Sequence, residues 1–114
     1  MDANDEKLKR IKRERTRLNR VFADLDENKK KTCAALIDRA AFITISLQDL
    51  EEQLNATGWI ETYQNGENQS GVKRAAAADV HISLTKNLNA IMKQLLELVP
   101  PAQKKGKLAE MMGR

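Results

Sequence analysis

The stretch Cys33 to Leu54, CAALIDRAAFITISLQDLEEQL, decides the fold. Leu36, Ala40, Ile43, Leu47, Leu50 and Leu54 alternate steps of four and three, the repeat that holds one face of a helix toward a partner helix. No strand alternation competes with it over this length. Ile37, Phe42 and Ile45 lie off the stripe and imply a second buried face, against another helix or another subunit. Thr57-Gly58 closes the helix, because glycine takes the left-handed conformation needed past a C-terminus without a Cβ clash.

The same stepping recurs in Leu84, Leu88, Ile91, Leu95 and Leu98, with Val80 one step earlier as an approximate match. This predicts a third helix from about Arg74 to Leu98, stopped by Pro100-Pro101. Two helices of similar length joined by a connection of about a dozen residues are expected to fold back as an antiparallel hairpin. Upstream, a first helix from about Asn4 to Ala23 carries Leu8, Ile11, Leu18, Phe22 and Leu25 on a thin stripe interrupted by Arg15, so it is expected to pack least firmly. Asp24-Leu-Asp-Glu27 has the spacing of a capping box and predicts a break before the second helix. The tail, AQKKGKLAEMMGR, is short, basic and expected to be mobile.

The chain thus reads as all-α, with a basic N-terminal helix over 1–25, an oligomerising helical hairpin over 26–101 and a flexible tail over 102–114. Composition agrees: of 114 residues 32% are charged, 4% are aromatic, and glycine and proline together number seven, which suits long helices rather than a sandwich or barrel. An elongated helical chain of this size buries a modest core, so self-association is expected. A single cysteine, Cys33, makes no intrachain disulfide, no apolar run approaches a membrane span, and the N-terminus MDANDEKLKR offers no secretory signal. A soluble, intracellular protein is the expectation.

Charge is unevenly placed. Lys7, Lys9, Arg10, Lys12, Arg13, Arg15, Arg17 and Arg20, followed by Lys29, Lys30 and Lys31, hold more than half of the 20 basic residues. The stretch from Thr32 to Val72 reverses sign, with Arg39 its only base. The N-terminal charges wrap much of a helix and suit phosphates approached from several directions. Arginine abundance with few aromatics to stack on bases points to duplex backbone rather than single strands. An ordinary solvated helix is the alternative, and no helix-turn-helix is identifiable.

Tyr63 to Arg74, YQNGENQSGVKR, has the outline of a phosphate loop, with Gly66 and Gly71 separated by four residues. Such a loop needs lysine and a hydroxyl residue immediately after the second glycine, to reach the terminal phosphates and hold magnesium. Here Val72 intervenes before Lys73, the hydroxyl is missing and no buried strand precedes, so nucleotide binding is rejected. Asn65-Gly66 is a turn signal, and Trp59 to Tyr63 is short and extended enough for a tight connection or small hairpin. Catalytic candidates fare no better. His81 has no second histidine or cysteine at metal-ligand spacing, Cys33 has no local base although nearby lysines could lower its pKa, and adjacent Glu51-Glu52 point about 100° apart on a helix. No enzyme, metal or cofactor is expected.

The strings CAALIDRAAFITISLQDLEEQL and TGWIETYQNGENQSGVKRAAAADVHISLTKNLNAIMKQLLELVP together resemble a family of small terminase subunits from tailed phages and prophages, over roughly residues 26 to 101. The resemblance implies a DNA-packaging adaptor in the cytoplasm of the bacterial host. Such an adaptor is a helical homo-oligomer, commonly a ring, that binds double-stranded viral DNA and presents it to a large terminase subunit carrying the ATPase and nuclease. Charge, not family precedent, places DNA on the eleven basic residues from Lys7 to Lys31. Leu36, Ile43, Leu47, Leu50, Leu54, Leu84, Leu88, Ile91 and Leu95 are expected to form the subunit core and inter-subunit contact. Lys104, Lys105, Leu108, Met111 and Met112 are candidates for docking the large subunit. The competing expectation is a helical scaffold or regulator that binds a protein partner without DNA.

Overall fold

A computed structural model describes residues 2–113. The chain is mostly helical, with α1 (Ala3–Val21), α2 (Glu27–Thr57), α3 (Ala76–Glu97) and α4 (Lys104–Met112) joined to a small antiparallel sheet of β1 (Ile60–Gln64) and β2 (Ser70–Arg74). The molecule is elongated, 64 × 37 × 21 Å along its principal axes. Its length follows from α2, whose 31 residues rise about 46 Å.

Each boundary has a local cause. Asp2 caps α1 by accepting from the Asp5 amide at 2.8 Å. Asp26 caps α2 by accepting from the Lys29 amide at 2.9 Å. The break falls where the sequence predicts it, but the cap is Asp26 and not Asp24, whose carboxylate is drawn instead to a distant lysine. Gly58, with φ of 100°, ends α2 and donates to the Leu54 carbonyl at 2.7 Å, a conformation an L side chain rarely adopts.

The main core gathers all four helices. Leu18, Val21, Phe22 and Leu25 from α1 and its exit pack with Cys33, Ile37 and Ala40 of α2, Leu95 and Val99 at the end of α3, and Met111 of α4. At its rim lie Leu36, Leu88, Ile91, Met92, Leu96 and Leu98. A smaller cluster joins Ile11 to Ala41 and Ile45. The start of α2 thus meets the end of α3, while Glu51 near the end of α2 meets His81 near the start of α3 at 2.9 Å.

Further sequence expectations are corrected. The chain is not strictly all-α: Trp59 to Arg74 forms a hairpin in the register Ile60 to Arg74, Thr62 to Val72 and Gln64 to Ser70, because β-branched and aromatic residues flank a glycine turn. Arg74 therefore belongs to β2, and α3 begins at Ala76. The first helix is not the least firmly packed element: Ile11, Leu18 and Phe22 are buried, although Leu8 is 56% exposed, whereas neither β1 nor β2 has a buried residue. Arg15 does not interrupt the buried stripe; the polar group within it is Glu14, buried beside Arg17.

The tail also departs from expectation. Pro100-Pro101 stops α3, but Pro101 also opens a 3-10 turn over Pro101–Gln103 that leads into α4. Its fixed φ suits the first position of a helix, where no amide donor is missed. Met111 then enters the core at 5% exposure, so it is occupied within its own chain and not held out for a partner. Apolar anchoring of one side chain, helped by cations at both helix ends, fixes a segment whose sequence alone looks mobile.

Candidate nucleic-acid interface

The packing of α1 sorts its cations by helical angle. The buried stripe of Ile11, Glu14, Leu18 and Val21 fixes which side faces α2. Arg10 and Arg15 lie at the margins of that side and turn inward to acids of α2. Arg10 reaches Asp49 at 2.6 Å and Gln48 at 3.0 Å, and Arg15 reaches Asp38 at 3.1 Å. Lys7 lies over the Phe42 ring, 5.1 Å from its centroid. These three cations hold α1 to α2 and partly answer the excess of acid in the middle of the chain.

Lys9, Lys12, Arg13 and Arg20 have another setting. Their spacing of three and four, with Thr16 between, places them on the side of α1 opposite the core. All four are exposed, and among the described residues no acid pairs with any of them. With Thr16 and Arg17 they line a shallow groove of about 430 Å³. From Lys9 to Arg20 the face runs about 16 Å, the rise of about five base pairs of duplex. The basic residues therefore do not offer themselves all round the helix: packing leaves one basic face.

Arg17 sits at the edge of this face and is spent differently. It pairs with Glu14 at 2.5 Å and donates to the backbone carbonyls of Glu110, Met111 and Gly113 at 3.0, 2.8 and 3.0 Å. Those oxygens belong to the end of α4, where helix carbonyls lack intrahelical donors. Lys107 of α4 returns the favour, donating to the Val21 carbonyl at the end of α1 at 2.6 Å and approaching Asp24 at 3.0 Å. Its ammonium lowers the Asp24 pKa, chiefly through that hydrogen bond.

The remaining basic candidates are apart from the groove in sequence and role. Lys29, Lys30 and Lys31 lie near the start of α2, where Lys30 approaches Glu27 at 3.7 Å. In the tail, Lys104 and Lys105 are exposed, Leu108 is at the margin of exposure and Met112 is exposed.

Of the core candidates, Ile43, Leu47, Leu54 and Leu95 are buried. Leu36, Leu50, Leu84, Leu88 and Ile91 are only half covered within one chain. α3 is the extreme case: only Ala78 and Leu95 of its 22 residues are buried. The β hairpin is barer still, leaving Ile60, Tyr63 and Val72 exposed, with Trp59 beside it.

The residues weighed as catalytic candidates lie in separate surroundings. His81 Nε2 lies 2.9 Å from Glu51, and its ring meets Trp59 edge to face at 5.2 Å. Cys33 is buried, and desolvation raises its pKa rather than the nearby lysines lowering it. Gly66 and Gly71 belong to the exposed β hairpin, whose turn is closed by the Asn65 amide and the Gln69 carbonyl at 2.6 Å. Among the described residues no group of three or more His, Cys, Asp or Glu is placed to hold a metal ion, and no helix is long and apolar enough to cross a membrane.

Sequence reasoning missed Arg17 as a helix cap, Lys107 as its counterpart and Glu14 as a buried carboxylate. The Glu14–Arg17 spacing of three was a usable local signal, since such pairs meet on a helix. Contacts spanning 86 to 96 residues of sequence had none. Comparison with protein-family models, with curated proteins and with solved structures gave no match to this chain.

Proposed function

We propose that the protein is a DNA-binding adaptor of the small terminase type: a homo-oligomer, commonly a ring, that grips double-stranded viral DNA and presents it to a large ATPase and nuclease subunit. The terminase part of the reading rests on the sequence resemblance over residues 26 to 101. The observation that carries DNA binding is the outward face of Lys9, Lys12, Arg13 and Arg20, four exposed cations in one row without acidic partners. A row of this kind contacts backbone phosphates, which position a duplex without themselves carrying sequence information.

Self-association is supported by the half-covered seam of Leu84, Leu88 and Ile91 on α3 and by Leu36 and Leu50 on α2. In this reading α2 and α3 form an antiparallel helical hairpin whose outer seam is completed by a neighbouring copy. Repetition of the basic face around a closed assembly multiplies a weak individual grip, because linked contacts add avidity without new chemistry.

The test is salt-dependent binding to duplex DNA. Four neutralised phosphates give a log-log slope of about −3.6, at about −0.9 for each. Replacing Lys9, Lys12, Arg13 and Arg20 by Gln flattens that slope while leaving helicity intact, since none of the four packs in the core. An unchanged slope removes the face as the DNA site. Native mass spectrometry checks the assembly, with a closed oligomer expected.

A second reading, a helical scaffold that binds protein without DNA, is favoured by the exposed Trp59, Ile60, Tyr63 and Val72 around the β hairpin. It requires the wild-type chain to show no salt-sensitive DNA binding.

A further inference from the structure

We infer that Arg17 couples the basic face to the C-terminal helix, so that a polyanion on the face and α4 in its docked position compete for one guanidinium. The inference rests on the phosphate-binding reading of the face. Its geometric basis is that Arg17 lines both the basic groove, with Lys9, Lys12 and Arg13, and the cleft of about 540 Å³ beneath α4, with Met92, Met111 and Met112.

An arginine has five N–H donors, and Arg17 directs all five within the chain. Nε and one Nη2 hydrogen go to the two Glu14 oxygens, the other Nη2 hydrogen to the Met111 carbonyl, and both Nη1 hydrogens to the carbonyls of Glu110 and Gly113. While α4 is docked, the residue best placed to extend the groove toward a phosphate has no donor left. A phosphate that recruits Arg17 takes donors from the end of α4, whose last carbonyls have no intrahelical substitute. The nearby Lys107 clasp on Val21 and Asp24 holds a different turn of α4, so loosening begins at residues 109–113.

The consequence is reciprocal. If anion binding weakens docking, undocking strengthens anion binding by the same factor. Loosening also draws Met111 out of the core and away from the cleft that it lines with Leu18 and Met92, so exposure of Met111 becomes conditional on a loaded basic face.

The experiment uses the full chain with a short duplex DNA and, separately, inorganic polyphosphate. Saturation with either is expected to speed amide hydrogen exchange in residues 109–113 of the wild type. M111Q, which loosens α4 without changing charge, is expected to bind DNA about tenfold more tightly, within the usual range of site-to-site coupling. Its salt slope should steepen by about 0.9, the contribution of one phosphate. R17Q/M111Q should lose both gains.

Unchanged exchange in the saturated wild type, or a gain in M111Q that survives loss of Arg17, overturns the coupling whether or not M111Q folds well. Polyphosphate binding with faster exchange, but no duplex binding, keeps the coupling and removes the DNA reading. Duplex binding with unchanged exchange does the reverse. If neither polyanion binds, both fall.

Discussion

Lys107 donates to the Val21 carbonyl at 2.6 Å, so a residue of the last helix closes the end of the first. The ammonium also lies 3.0 Å from Asp24 and is largely screened from water, its side chain 12% exposed. Replacing Lys107 by Met keeps most of the apolar stem and removes the charge. The carbonyl loses its charged donor, and a destabilisation of about 1 to 2 kcal/mol is expected. Denaturant unfolding of K107M measures it; a loss confined to a few tenths would mean that water serves the carbonyl equally well.

The same pairing gives α4 a pH dependence. Asp24 has its pKa lowered in the folded protein, so its contribution is complete above the unfolded value of about 3.9 and is lost as pH falls below that through the folded value. Because the carboxylate is exposed, the effect is small and fades with salt. Hydrogen exchange in α4 should accelerate, once corrected for intrinsic rates, as pH falls below about 4 at low salt. D24N should abolish that step without abolishing the Val21 contact.

Cys33 is 2% exposed and has its pKa raised by burial. Its thiol should resist alkylation at pH 8 and react only when the chain opens, with a rate that rises in step with denaturant. The raised pKa also means that stability is full below about pH 9 and declines as pH rises toward the folded value, since the unfolded thiol ionises first. Rapid labelling of the native chain would contradict its place in the core.

Gly71 faces Tyr63 across the β hairpin, and a Cβ there would lie 2.7 Å from the tyrosine hydroxyl oxygen. Gly71→Ala should displace the Tyr63 ring and loosen the hairpin, while the helices keep their stability because the hairpin contributes nothing to either core cluster. Local amide exchange in β1 and β2 is expected to quicken with no change in the global unfolding midpoint. A fall of several degrees in that midpoint would show the hairpin to be integrated with the helical core.

Ser46 is buried in α2, and its hydroxyl has no hydrogen-bond partner within the described chain. Ser46→Ala removes a polar group that burial penalises and adds helix propensity. It should stabilise by about 0.5 to 1 kcal/mol, read as an upward shift of the urea midpoint at constant slope.

The three long helices and the inward side of each were legible in the sequence. Periodicity is a local property, and Leu47, Leu54 and Leu95 are buried because neighbouring turns bring apolar groups to one side wherever the helix is put. The Asn65-Gly66 turn and the stop at Gly58 were legible for the same reason, each being set by the backbone freedom of one residue. Which cations of α1 remain available was not legible. Lys9 and Arg10 are adjacent and chemically alike, yet Arg10 is held by Asp49, 39 residues away, while Lys9 faces outward. The tail was illegible too, because Met111 gains its burial, and Arg17 and Lys107 their partners, only when α1 and α4 meet across almost the whole chain. Local spacing fixes which side of a helix is apolar; only packing against distant segments decides which of its charges are consumed in holding the fold and which are left facing solvent.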